Sequence, residues 1–449
     1  MQIQLKFRSF VIIILIIIIT ISTACTSTKT LGTQRVSVAN DESQANNRSK
    51  QPTISADGRY IAFTSEAANL VDKDLNGVMD VFVRDLVKKS TSRVSISSTG
   101  EEGNQSSYWP FISADGRYVT FTSDANDLVD TDSNGYGDVF LHDLKTGKTD
   151  LISVATDGKS GNDLSFWSSV SSDGRYVVFM SQATNLVASD TNASWDIFLR
   201  DMTTQETRII SNGHDGSQAN SQSEYPVISA DGRYVAFASD ATNLVQGDTN
   251  GYRDAFEYDR ETGKTIRISV ATDGTQADNG TQVFAISISS DGNIIAFASL
   301  ATTLISGDTN QVWDIFVHDR DKGETTRVSV TSDGLQADAG SYGVAISADG
   351  RFVAFGSNAT NLVPEDTNNV MDVFIHDRQS GKTQRVSVAS DGSQGNESSG
   401  FSVIAPNGID LAYGPMITSD GSTVAFMSNA TNLVDGDTNA NQDIFINER

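Results

Sequence analysis

One arrangement of apolar and polar positions recurs down the chain from residue 49. An apolar run leads into Ile-Ser-Ala-Asp-Gly-Arg-Tyr, and a second run follows with Phe near its centre. An Asp- and Asn-rich loop then precedes a third run, again carrying Phe, and a fourth that reads Arg-Val-Ser-Val. The turn aspartates are Asp57, Asp115, Asp173, Asp231, Asp291, Asp349 and Asp420, spaced by 58, 58, 58, 60, 58 and 71 residues, which makes seven copies. In the second copy the four runs fall at 110–113, 118–123, 138–143 and 150–155. Each is short, rich in Val, Ile, Phe and Tyr, and bounded by Gly, Asp or Asn, which predicts strands and no sustained helix.

Four antiparallel strands repeated seven times predict an all-β, seven-bladed propeller. The last copy stops at its third run, 443–449. The fourth run it lacks stands at the other end of the chain, where 34–39 reads Gln-Arg-Val-Ser-Val-Ala. An open stack leaves unpaired edges, so the N-terminal strand is expected to close the ring within the seventh blade. The core is read from two phenylalanines per copy: Phe63, Phe121, Phe179, Phe237, Phe297, Phe355 and Phe426 on second strands, and Phe82, Phe140, Phe198, Phe256, Phe316, Phe374 and Phe445 on third strands. Fourteen of the 21 phenylalanines thus hold two equivalent positions, as packing between blades requires.

Charge narrows the partners. With 32 Lys+Arg against 57 Asp+Glu, the net charge of −25 disfavours nucleic acid and anionic lipid. A single cysteine excludes an internal disulfide. Lys6 and Arg8 precede an apolar run at 10–19, too short to span a bilayer, and Ser22-Thr23-Ala24 lead to Cys25. This segment resembles a bacterial lipoprotein signal, which implies that 1–24 is removed and Cys25 is lipid-modified. Thr26 is not the Asp that retains such proteins at the inner membrane, so the resemblance implies the outer membrane. The expected organisation is a signal at 1–24, a linker at 25–33 and the propeller at 34–449, a monomer touching the membrane through its lipid alone.

The motif Ser-Ala-Asp-Gly-Arg-Tyr-Val-Ala-Phe resembles the repeat of TolB-like propellers, the PD40 or WD40-like bacterial repeat, across nearly all of 34–449. The resemblance implies the propeller fold. It leaves function open, because such rings serve as binding platforms, enzyme subdomains and scaffolds.

The acidic loop between second and third strands carries the strongest chemical pattern. The first copy places Asp72, Asp74, Asn76, Val78 and Asp80 at alternate positions, and the second places Asp130, Asp132, Asn134, Tyr136 and Asp138 likewise. Side-chain oxygens at 1, 3, 5 and 9, with a main-chain carbonyl at 7, suit a hard cation such as Ca²⁺. The pattern is similar to the calcium loops of integrin-type propellers. The seventh copy offers Asp435, Asp437, Asn439 and Asp443. The third to sixth lack the first carboxylate, having Ala188, Gln246, Ser306 or Pro364 there, and suit Asx-turns instead. Calcium is therefore expected in the first, second and seventh loops.

No nucleophile elbow, phosphate loop, zinc motif or dinucleotide fingerprint is present. His142, His318 and His376 share a position with Arg84, Arg200 and Glu257, which reads as a solvated surface. Asymmetry is more informative. Seven residues before each turn aspartate stand Lys50, Tyr108, Phe166, Glu224, Phe284, Tyr342 and Tyr413, followed in three copies by Trp109, Trp167 and Tyr225. These are expected to rim one mouth of the central channel and bind a partner, beside an insertion around 401–413. The functional expectation is a calcium-stabilised, non-enzymatic scaffold for an envelope protein or polysaccharide. An envelope lyase or hydrolase, or a TolB-like subunit of a larger complex, is the alternative.

Overall fold

The computed structural model describes residues 32–400 and 414–449. Cys25, Tyr413 and the insertion at 401–413 lie outside the described residues, as does the side chain of Phe284. Among the described residues, 28 strands build seven four-stranded antiparallel sheets. Blades 1 to 6 span 49–93, 107–151, 165–209, 223–267, 281–327 and 341–385, and blade 7 joins 416–448 to the N-terminal strand. In blade 2 the innermost strand Ser107–Ile112 pairs with Tyr118–Ser123, then Asp138–Asp143, then Lys148–Leu151.

Closure is as expected. Gly32–Arg35 pairs antiparallel with Asp443–Glu448, from Gly32 opposite Glu448 to Arg35 opposite Phe445, and supplies the outer strand of blade 7. The ladder differs in detail from the expected 34–39. One further bond runs from Val36 N to Ile444 O at 2.7 Å, after which the Ser37 hydroxyl turns in to donate to Asp443. Blade 2 repeats this: its fourth strand is Lys148–Leu151 and not 150–155, and Val154 instead bridges Ser160. The Val-Ser-Val run is apolar because it is a buried corner, with its serine bonded to the loop aspartate.

The two Phe of each blade lie directly opposite one another on neighbouring strands, with ring centroids 5.7–6.1 Å apart. Each pair packs on the aliphatic face of the preceding blade. Phe121 and Phe140 meet Ala62, Val81, Val83 and Val94, and Phe63 and Phe82 of blade 1 meet Ala425, Ile444 and Val36 of blade 7. The hydrophobic core is thus a closed circuit of blade interfaces.

One edge of the ring carries the Asp-Gly-Arg turns. Asp115 Oδ1 accepts from the Ser113 hydroxyl and the Arg117 amide, and Arg117 then forms a bidentate pair with Asp143 at 2.9 and 2.7 Å. The same pair recurs as Arg59–Asp85, Arg175–Asp201, Arg233–Asp259 and Arg351–Asp377. Gly116 has φ +71°, and a Cβ there would sit 2.6 Å from the Tyr60 ring of the preceding blade. Glycine is needed both for the turn and for that approach.

Candidate functional site

The opposite edge carries the acidic loops, and strand register places the aromatic positions there too. Tyr108 lies opposite Thr122, and Asp138 opposite Ser123, at the same end of blade 2. Each loop is organised by its asparagine. In blade 2 Asn134 Oδ1 accepts from Tyr136 N at 2.8 Å, while Nδ2 donates to Asp138 Oδ2 at 2.6 Å and Gly161 O at 2.8 Å. Asn76 does the same with Val78, Asp80 and Gly103, and Asn439 with Asn441, Asp443 and Ala45. The closing aspartates Asp80, Asp138 and Asp443 are fully buried, and each accepts from a serine, Ser95, Ser153 or Ser37.

The first-position carboxylates behave otherwise. Asp72, Asp130 and Asp435 are exposed. Among the described residues no three Asp, Glu, His or Cys side chains converge at metal-binding spacing. The first-position aspartates thus stand apart from the expected cage, and the pocket is built by the third-position and closing aspartates, joined in blade 1 by Glu102. In most blades that pocket holds a guanidinium. Arg93 Nη1 sits 3.3 Å from Asp74 Oδ1, 3.0 Å from Asp80 Oδ2 and 2.8 Å from Glu102 Oε2. Arg35 lies 3.1 Å from Asp437 and 3.4 Å from Asp443, and Arg267, Arg327 and Arg385 repeat the arrangement in blades 4, 5 and 6. In blades 1 and 7 a calcium ion and this arginine would compete for the same oxygens. Even so, burial and the neighbouring Asp80 push Asp74 up to about 6.

Blades 2 and 3 break the rule. The register position of Arg93, opposite Phe82, is Leu151 opposite Phe140 and Ile209 opposite Phe198. Burial pushes Asp138 up to about 7 and Asp196 up to about 6, and raises Asp132 and Asp190 as well.

The aromatic positions are drawn inward. The innermost strands slip register between Lys50 and Thr53, Tyr108 and Phe111, Phe166 and Ser168, and Glu224 and Val227. At these bulges Gln51, Trp109, Trp167 and Tyr225 take φ of +58°, +54°, +48° and +58°. Side chains avoid that region at a cost of about 1–3 kcal/mol each. Trp109, Trp167 and Tyr225 are buried, which corrects their expected place on an open rim. Trp109 and Trp167 have centroids 5.9 Å apart, and Trp167 meets Tyr225 edge-on at 4.9 Å. This aromatic arc crosses three successive blades.

Two cavities flank the arc. The larger, about 310 Å³, is the central channel, with Trp167 and Tyr225 in its wall and a ring of Ile54, Ile112, Val170, Ile228, Ile288, Ile346 and Ile417. The smaller, about 180 Å³, opens at the loop-bearing edge between Lys50, Gln51, Met79, Tyr108, Trp109 and Phe166. Tyr108 and Phe166 are half-buried here. Tyr108 donates to Asp124 at 2.7 Å, and Phe166 stacks on Trp195 at 5.5 Å. The indole N–H of Trp109 is buried without a hydrogen-bond partner. Tyr342 is half-buried and packs against the core between blades 7 and 1.

The histidines are not on a solvated surface, and that expectation is corrected. His142, His318 and His376 are buried, each with Nδ1 2.9 Å from a threonine, Thr149, Thr325 or Thr383. Each threonine hydroxyl donates to a carbonyl of the preceding blade, Ile96, Val270 or Val330. The ring nitrogen must then donate to the threonine. Arg84 and Arg200 hold Thr91 and Thr207 in the same way, so this polar position stitches blades together. A Thr seven residues after each of these positions was the sequence signal that marked them.

No family model and no curated protein match the chain. Solved structures do. An oligogalacturonate lyase from Vibrio parahaemolyticus is 16% identical with a TM-score of 0.53, over 94% of this chain and 94% of that one. The chain is a seven-bladed propeller. An oligogalacturonate lyase in complex with manganese is 13% identical with a TM-score of 0.53, over 93% and 92%. TolB from Acinetobacter baumannii is more distant, 15% identical with a TM-score of 0.40, over 76% and 63%. At these identities the likeness is one of fold.

Proposed function

We propose that this chain is an exported binding scaffold, held to the outer membrane through a lipid on Cys25, that captures an envelope protein or polysaccharide at the loop-bearing mouth of its channel. The observation that carries the reading is the strained arc. Three successive blades hold an aromatic residue at positive φ at the same bulge, with Trp167 and Tyr225 in the channel wall and Trp109 in the wall of the smaller cavity. The bulge itself recurs, with Gln51 and Gly343 at φ of +58° and +51°, so what distinguishes blades 2 to 4 is the large aromatic side chain each places there. The small cavity beside the arc suits one anchor, an aromatic or aliphatic side chain or a single sugar ring. Tyr108 and Phe166 supply apolar walls, and the unpartnered Trp109 N–H supplies a donor for a carbonyl or hydroxyl oxygen.

The test is capture from detergent-solubilised envelope by the tagged full-length chain. Phe166→Ala, with Trp109→Phe as the variant that keeps packing and removes only the donor, should weaken capture, the former by about thirtyfold or more, equivalent to about 2 kcal/mol. Cys25→Ser should shift the protein from the membrane to the soluble fraction. Capture at full strength by both cavity variants sinks the mouth as the site, and unchanged membrane association sinks the anchor.

A further inference from the structure

Five blades solve one electrostatic problem in the same way, and blade 2 leaves it unsolved. Wherever the third-position aspartate and the closing aspartate converge in blades 1, 4, 5, 6 and 7, an arginine from the outer strand lies between them at 3.0–3.4 Å. A second polar residue closes the pocket from the following hairpin: Glu102 in blade 1 and Gln276, Gln336, Gln394 and Gln44 in blades 4 to 7. Blade 2 has lost both. Leu151 replaces the arginine, and Ser160 replaces the long polar side chain.

The two aspartates remain. Asp132 is 6% exposed, and neither of its carboxylate oxygens has a hydrogen-bond partner of good geometry, the nearby Asn134 N–H offsetting only part of its burial. Asp138 is fully buried, and among the described residues no ion pair reaches either group. Blade 3 also lacks the arginine, but Gln218 Nε2 donates to Asp190 at 2.7 Å and fills part of the gap. Two carboxylates buried without a counter-charge are costly unless a cation or protons neutralise them.

We propose that the blade 2 pocket binds one Ca²⁺ through Asp132 and Asp138, the ion standing where the other blades place a guanidinium. Leu and Ser in place of a long cationic side chain and a glutamine remove the groups that reach these carboxylates in the other blades, and all-oxygen ligands select a hard divalent cation. With only two protein carboxylates, affinity falls in the range of extracellular sites, with Kd on the order of 10⁻⁴–10⁻³ M. Blades 1, 4, 5, 6 and 7 carry their cation covalently, and blade 3 has the neutral Gln218 amide in its place. The proposal is independent of partner capture, since its readout is ion binding by the chain alone.

Calorimetric titration of the full-length chain with CaCl₂, paired with thermal melting in CaCl₂ and in chelator, tests it. One ion per chain is expected, with a calcium-dependent rise in melting temperature. Asp132→Asn should weaken binding by about tenfold or more. Leu151→Arg with Ser160→Gln, which copies the other blades, should abolish binding and remove the calcium response while melting no lower in chelator. The reverse exchange in blade 1, Arg93→Leu with Glu102→Ser, should add a second ion. No calcium response in the wild-type chain up to about 10 mM, an order of magnitude above the expected range, overturns the proposal. So does binding that survives both the Asp132→Asn and the Leu151→Arg/Ser160→Gln exchanges.

Discussion

The two edges of the ring use the same currency of aspartate and arginine to opposite ends. At the turn edge, Arg117 and Asp143 meet in a bidentate pair that is partly open to water, and four other blades copy it. At the loop edge, carboxylates are buried and only five blades give them a counter-charge, an arginine; blade 3 offers the neutral Gln218 amide and blade 2 no charge at all. The innermost strands diverge at the same edge, from Lys50 to Tyr108, Phe166 and Glu224. Uniformity marks what the ring needs in order to close. Divergence on one edge marks where individual blades have taken on separate tasks.

The sharpest way to break that comparison is to open the ring where both edges depend on one strand. Deleting residues 32–40 removes the strand paired with Asp443–Glu448, the fully buried Val36, and Arg35 and Ser37 from their aspartates. Leaving Asp437 and Asp443 buried without their arginine costs about 3–5 kcal/mol by itself, and an exposed blade edge adds to it. Denaturant unfolding of the truncated chain should show a large loss of midpoint or of cooperativity. An unchanged midpoint means the seventh blade holds without its N-terminal strand.

How much of this was legible in the sequence follows from what each residue needs. Spacing of the turn aspartates and the two Phe per copy are local facts that specify blade number and core, and the fourth run missing at 443–449 but present at 34–39 specifies closure. The fourth strands start earlier than the apolar run suggests because Val154 and Ser153 are buried at a corner, bonded to residues in loops the run does not touch. The loop chemistry was half legible. Asp and Asn at alternate positions were visible, but not the arginine that joins them, because Arg93 reaches Asp74 only through pairing with Phe82 on the next strand. The clue was present: Arg-Val-Ser in four copies and Arg267-Ile268-Ser269 in a fifth, against Leu151-Ile152-Ser153 and Ile209-Ile210-Ser211 in two. Burial of Trp109 and Trp167 depends on positive φ at a bulge, for which a tryptophan gives no warning.

A smaller perturbation asks whether divergence at the loop edge still serves packing. Trp167 is buried between Trp109 and Tyr225, so Trp167→Ala should cost about 3–5 kcal/mol, comparable to Phe297→Ala in the uniform core. Alanine keeps a Cβ, so the strain of the +48° φ stays in place and offsets none of that cost. Equilibrium unfolding of both variants measures the difference. If Trp167→Ala is neutral, the arc contributes nothing to stability and is held for its ligand alone.

The smallest expected effect separates the edges by the sign of their response to pH. At the turn edge, the Arg233 guanidinium holds Asp259 down to about 2, and Arg117 holds Asp143 well below the carboxylate range. Groups lowered on folding contribute stability above their unfolded value, near 3.8, that is lost as pH falls toward the folded one. At the loop edge Asp138 is raised to about 7, so the folded chain holds a proton there that the unfolded chain releases, and stability falls as pH rises through 7. Glu257, pushed by burial to about 7 despite Arg320, acts in the same direction. Lowering pH from 8 to 6.5 should therefore stabilise the metal-free ring, with Asp138 contributing on the order of 1 kcal/mol, or about 1 °C in melting temperature for a ring of this size. Below about 6.5 His142, His318 and His376 work against this trend, because burial lowers them and charging them opposes folding. Melting in chelator across this window should lose part of its rise in Leu151→Arg with Ser160→Gln, whose arginine keeps Asp138 ionised. An equal rise in that variant means Asp138 is not the group that titrates.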